Sequence, residues 1–207
     1  MSDQAIADCG AAIGLGAETA QIYGNRACAR LQRHDYTGAV ADATEAIRRD
    51  PACSVSWGNR ALAKSGLRDY DGSIADATEA IRLNPKHGAP YGVRGGAYLR
   101  SGDPDKALAD LDEAIRLAPT DYQARLDRGS LRAQRDDLDG AQADLEAALR
   151  VEPNGYAAHY NLGVVLYGQD DLPGALRHLD TALRIRPDFL RAQALRKVVA
   201  LEQEEVE

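Results

Sequence analysis

Residues 57–85 read WGNRALAKSGLRDYDGSIADATEAIRLNP, and the proline that closes this stretch decides how the rest of the chain is parsed. Pro51, Pro85, Pro119, Pro153 and Pro187 follow one another at intervals of 34 residues, using five of the eight prolines in the chain. A fixed period of this length marks a protein built from repeated supersecondary units. Five units follow, at 20–53, 54–87, 88–121, 122–155 and 156–189.

Other columns fall on the same period. A small residue recurs at Ala27, Ala61, Gly95, Gly129 and Gly163, where a first helix needs room for a neighbour's backbone. A second column, Ala46, Ala80, Ala114, Ala148 and Ala182, is followed each time by Ile or Leu. Ala39, Ala43, Ala46 and Ile47 stand at i, i+4, i+7 and i+8, the spacing of one buried helical face. Each unit is therefore expected to hold two helices. Asp35, Asp69, Asp103, Asp137 and Asp171 mark the turn between them and are suited to cap the second helix. Arg48, Arg82, Arg116, Arg150 and Arg184 occupy its last turn, where positive charge complements the helix dipole.

The period runs past both ends of the five units. Ala5, Ile6, Ala7, Asp8, Ala12 and Ile13 copy residues 39–47 one period earlier, so 1–19 is expected to be a lone second helix, weakened by Gly10, Gly14 and Gly16. Residues 190 to about 202 align with first helices, and the segment 190–207 ends in an acidic tail. Lys197 there occupies the column that is Ala or Gly elsewhere, so close packing is not expected at that point. This segment reads as the capping helix that a repeat array needs to cover its last unit.

Composition agrees with an all-α chain. Hydrophobic residues make up 44% but include one Trp, one Phe and one Met; small aliphatic side chains suit closely packed helices. The net charge of −7 repels phosphate backbones and anionic lipid surfaces, so neither nucleic acid nor membrane insertion is expected. No signal-like or membrane-spanning segment is present in these residues. Cys9, Cys28 and Cys53 form no CxxC pair. Cytoplasm is the expected compartment.

Catalytic chemistry is not expected. His34, His87, His159 and His178 fall in different columns without metal-ligand spacing. Gly92, Gly95 and Gly96 read as small residues inside a helix, because no strand precedes them and no GK[ST] follows. Asp103 and Asp105 flank Pro104 without the rest of a calcium loop. The surface carboxylates are expected to pair at i,i+4, as in Asp112 with Arg116 and Asp180 with Arg184. No cofactor and no metal are implied, and the chain is not expected to be an enzyme.

The 34-residue helix-turn-helix period, with its two small columns and its proline column, resembles the tetratricopeptide-repeat (TPR) family over nearly the whole chain. The resemblance implies a right-handed superhelical solenoid in which first helices line a concave groove for a peptide or helix of a partner protein. The implied groove positions are Gln21, Asn25, Cys28 and Leu31, then Asn59 and Leu62, then Val93, Leu99 and Arg100. Further along stand Gln123, Asp127 and Gln134, followed by Tyr160, Asn161, Val164 and Tyr167. Tyr160 and Tyr167 are the foremost candidate anchors, the alternative being that they pack under the capping helix. Asn25, Asn59 and Asn161 share a column from which an amide can bond a peptide backbone, the alternative being capping contacts within the repeat or contacts with water. A related subclass grips carboxylate tails with a Lys, Asn, Asn, Lys, Arg set. Those slots here hold Gly24, Cys28, Asn59, Ala89 and Val93, and only Asn59 fits.

Arg26, Arg60, Arg94 and Arg128 fill a column that the family usually gives to an apolar residue. Sixteen residues on stand Asp42, Asp76, Asp110 and Asp144. The fifth unit changes both together, to Leu162 and His178, as expected if the side chains meet across the helix pair. Four structural ion pairs are expected; the alternative is an anion-binding arginine ladder. The expected function is that of an adaptor or scaffold for a protein or peptide ligand. The alternative is a self-associating homo-oligomer that uses its terminal half-repeat or its capping helix.

Overall fold

The computed structural model describes residues 2–206. Twelve α-helices and no strands are present among the described residues. The chain divides into two compact units, Met1–Ala118 and Pro119–Glu207.

The first unit holds α1 (Ser2–Gly14), α2 (Ala20–Gln32), α3 (Tyr36–Arg49), α4 (Ser54–Gly66), α5 (Tyr70–Leu83), α6 (Gly88–Ser101) and α7 (Pro104–Leu117). There α2 packs on its own second helix α3 and on the next first helix α4, α4 packs likewise on α5 and α6, and α6 packs on α7. The second unit holds α8 (Tyr122–Gln134), α9 (Leu138–Val151), α10 (Tyr156–Gly168), α11 (Leu172–Ile185) and α12 (Leu190–Val206). There α8, α10 and α12 follow the first-helix pattern, and Leu126, Leu145, Leu162, Val165, Leu179 and Val199 share one core. Helices of this length are marginal alone, so burial against neighbours supplies most of their stability.

The turns repeat with the period. Asp35, Asp69, Asp103, Asp137 and Asp171 each accept a hydrogen bond from the backbone N–H three residues on, at 2.9–3.2 Å. The residue before each of them follows the first helix in the left-handed region: His34, Arg68, Gly102, Asp136 and Asp170 all have φ between 57° and 87°. Only the third turn uses the residue type that adopts this conformation without steric cost.

Six residues after each proline stands a side chain that reaches back to the proline carbonyl. Trp57 Nε1 donates to Pro51, Tyr91 Oη to Pro85, Arg125 Nε to Pro119 and Gln193 Nε2 to Pro187, at 2.7–3.3 Å, and His159 Nε2 lies 3.0 Å from the Pro153 oxygen. Five side-chain types share one task here, fixing the entry of a first helix onto the turn before it.

Packing in the small column is decided by size. A Cβ at Gly95 would lie 2.9 Å from Leu111 Cγ, at Gly129 3.0 Å from Leu145 Cγ, and at Gly163 2.8 Å from Leu179 Cγ. Where the first-helix residue is Ala27 or Ala61, the residue sixteen positions on is Ala43 or Ala77, and all four are fully buried.

Candidate functional site

The structure brings each column arginine onto its aspartate. Arg26 donates from Nε and Nη2 to both carboxylate oxygens of Asp42 at 2.8 and 2.6 Å. Arg60 holds Asp76, Arg94 holds Asp110 and Arg128 holds Asp144 in the same two-pronged way, at 2.6–2.8 Å. The four aspartates are buried and the arginines largely so. Their hydrogen bonds to the carboxylates hold the protons on Arg26 and Arg94 more firmly than usual, against the opposing effect of burial. The two-pronged bond uses Nε and one N–H of Nη2 in each guanidinium and sets its charge directly against a carboxylate.

A second cation joins three of these pairs one helical turn later. Arg30 lies 3.1 Å from Asp42, Lys64 2.8 Å from Asp76 and Arg132 2.9 Å from Asp144. The sequence carried the signal in the column Arg30, Lys64, Tyr98, Arg132 and Leu166, which is cationic in three of the four units that hold the aspartate and apolar in the fifth. Arg60 and Arg94 also donate to Thr44 and Thr78 of the preceding second helix, at 3.3 and 3.0 Å. These contacts tie one repeat to the next.

Surface pairs also form at spacings other than i,i+4. Arg116 takes Glu113 at i,i+3 (2.6 Å), repeating the Glu79–Arg82 and Glu45–Arg48 pairs. Asp180 takes Arg196 of α12 at 2.5 Å, and not Arg184 of its own helix, because it points towards the next first helix.

In the first unit the candidate groove residues lie on α2, α4 and α6. Asn25 is exposed but accepts a hydrogen bond from Gln21 at 2.8 Å, and Arg100 turns back to donate to the Gly96 carbonyl at 2.7 Å. Leu99 is half-buried. Asn59 and Leu62 are placed differently: with Val55 and Gly58 of α4, and with His87, Ala89, Pro90 and Val93 from α6 and its cap, they line a cavity of about 80 Å³. Leu62 is 45% exposed and Val55 52%.

In the second unit Gln123 donates to Asp127 at 3.0 Å, the same local bond as Gln21 to Asn25. Tyr160 meets the edge of Phe189, ring centroids 4.8 Å apart, and Tyr167 Oη donates to Glu202 of α12 at 2.7 Å. That hydrogen bond to a carboxylate pushes the Tyr167 phenol above its ordinary pKa. Both tyrosines therefore contact α12 or the turn leading into it. Asn161 is half-buried beside Tyr160.

Sequence columns separated His159 from His178, yet the structure stacks their rings with centroids 5.2 Å apart. Among the described residues no group of three His, Cys, Asp or Glu side chains converges as a metal site.

Models of the tetratricopeptide repeat match residues 59–122, 94–160 and 132–198, an unbroken stretch of sequence. The chain belongs to the tetratricopeptide-repeat family. Among solved tetratricopeptide-repeat structures it is similar to YrrB, described as having an unusual peptide-binding site. The two share 25% identity and a TM-score of 0.64, over 91% of this chain and 97% of that one. It is also similar to TTC0263 of Thermus thermophilus (20% identity, TM-score 0.70, 88% of this chain and 100% of that one). Human IFIT1, solved as a dimer with PPP-AAAA, shares the fold at 19% identity and a TM-score of 0.69, over 90% of this chain and 47% of that one. No curated protein matches the chain in sequence. Tetratricopeptide-repeat proteins are in general non-catalytic scaffolds for protein–protein interaction. No described helix is long and apolar enough to cross a membrane.

Proposed function

We propose that this tetratricopeptide-repeat chain is an adaptor that binds a peptide or helix of a partner protein on its first helices, with the α4–α6 cavity as the principal anchor. The observation that carries this reading is the cavity's composition. Val55, Leu62, Pro90 and Val93 offer an apolar seat, and the side-chain amide of Asn59 beside them has no hydrogen-bond partner among the described residues. An apolar recess with one amide at its wall suits a ligand side chain whose backbone bonds the amide. The other candidate positions contribute less, because Asn25, Arg100, Asp127 and Tyr167 already bond within the chain.

The test is selection of a random peptide library on the 207-residue chain. Peptides with an apolar anchor residue are expected, with binding reduced about tenfold or more in Leu62→Asp or Asn59→Ala. Both positions leave the core intact, so unfolding curves should be unchanged. Selected peptides that bind the variants as tightly as the parent would refute the assignment to this cavity.

A further inference from the structure

We propose that α12 of one copy and α1 of a second copy complete a helix pair, so that the chain associates head to tail. This does not rest on the peptide-binding reading.

The argument begins with two half-finished ion pairs. Asp8 stands one period before Asp42, in the column whose members at 42, 76, 110 and 144 each hold an arginine from their own first helix. Asp8 is exposed, and its hydrogen bond is to Gln4 on its own helix at 2.7 Å. Arg196 stands two periods after Arg128, in the arginine column, and α12 has no second helix of its own among the described residues. Its guanidinium, 45% exposed, reaches back to Asp180. That residue is in the column of Thr44 and Thr78, which Arg60 and Arg94 contact while also holding their aspartates. Arg196 thus makes the backward contact of a column arginine, and the place of its forward aspartate is the place that Asp8 of a second α1 would take.

The apolar surface follows the same register. Leu15 is 89% exposed and Leu190 75% exposed. In the third unit the equivalent positions are Leu117 and Gly88, and these meet: a Cβ on Gly88 would lie 3.1 Å from Leu117 Cβ. The repeat geometry therefore sets Leu15 of one copy against Leu190 of the other. Ala5 is exposed and Cys9 half-buried, where their equivalents Ala39 and Ala43 are fully buried. Leu201, 62% exposed, stands one period after Tyr167, which faces the next first helix through Glu202. In the assembly α2 of the second copy is that next helix.

Lys197 opposes close approach, since its column is otherwise Ala or Gly. The residue opposite it in the completed pair is Cys9, where Gly95, Gly129 and Gly163 face leucines. The small partner leaves room for the lysine stem, and the ammonium carries the charge that suits Asp8.

Such an interface is heterologous, so copies add in one direction and either close a ring or extend. Mass by light scattering over a hundredfold range of concentration tests it, because association of this kind is concentration-dependent. Mass that rises with concentration is expected, with association weakened about tenfold or more by Leu15→Asp or Leu190→Asp. Both side chains are exposed in the monomer, and circular dichroism checks that the fold is kept. Asp8→Arg should weaken association, and Asp8→Arg with Arg196→Asp in the same chain should recover it. A monomeric mass at every concentration would overturn the proposal, and so would growth that Leu15→Asp and Leu190→Asp leave unchanged. Peptide binding at Leu62 is read separately and stands or falls by itself.

Discussion

Nδ1 of His178 lies 3.0 Å from Nδ1 of His159, and His159 Nε2 lies 3.0 Å from the Pro153 carbonyl oxygen. A carbonyl only accepts, so Nε2 of His159 carries a hydrogen; in the neutral ring its Nδ1 then accepts, and Nδ1 of His178 donates. Two imidazolium rings would set N–H against N–H. The fifth unit has thus exchanged the arginine–aspartate pair for a bond that requires at least one neutral ring.

The pH dependence follows from this pair. Burial first, then the charges of His159 and Arg177, push the His178 pKa below the usual histidine value, while Glu146 and Asp171 oppose the shift. A folded pKa below the unfolded one means that the unfolded chain takes up the proton first. The contribution is present above about pH 6.5 and is lost as pH falls through the lowered value. The melting temperature should be lower at pH 5 than at pH 7, and a His178→Leu variant should show a flatter profile across that interval.

Breaking one ion pair should cost more than removing both members. Asp110→Ala leaves Arg94 largely buried without its counter-charge, a loss of about 3–5 kcal/mol. Arg94→Leu with Asp110→His, the combination that the fifth unit uses at Leu162 and His178, should lose less than the single change. Urea unfolding of the two variants measures the difference. Equal losses would mean that the uncompensated charge is not the main cost.

The size match between columns gives a third test. Gly95→Ala would drive a methyl group into Leu111 and towards the Ala107 carbonyl, costing about 1–3 kcal/mol. Adding Leu111→Ala, which recreates the Ala61 and Ala77 pairing, should relieve the overlap. The net loss then reflects the missing leucine and not strain, which a double-mutant cycle separates.

Arg68 adopts φ of 65° in a turn where the third unit places Gly102 at φ 87°. Removing the Cβ relieves left-handed strain, although glycine also loosens the unfolded chain. Arg68→Gly is expected to raise stability by up to about 1 kcal/mol in urea unfolding.

Tyr167→Phe removes the hydrogen bond to Glu202 and leaves the ring. Amides in the last turns of α12 should exchange faster with deuterium, while the global melting temperature changes little, because this contact holds the helix end and not the core.

The 34-residue period determined the helix pairs, their order and the meeting of Arg26, Arg60, Arg94 and Arg128 with residues sixteen positions on. In a repeat array each unit makes the same nearest-neighbour contacts, so a column in the sequence is also a position in space. The glycine–leucine and alanine–alanine match lies at the same sixteen-residue separation, but the structure is what shows those side chains meeting. Only the tertiary structure decided where unlike residues serve one role, as Trp57, Tyr91, Arg125, His159 and Gln193 do at the proline carbonyls. The period cannot report a shared role when the side chains differ in type. Contacts that occur once, such as His159 with His178 or Tyr167 with Glu202, leave no recurring trace in the sequence. Nor do local bonds such as Arg100 to Gly96, which withdraw a side chain from a face that the period assigns to it. Side-chain packing alone therefore decides which polar groups on the first helices stay uncommitted, and between α4 and α6 the Asn59 amide stands beside an apolar recess.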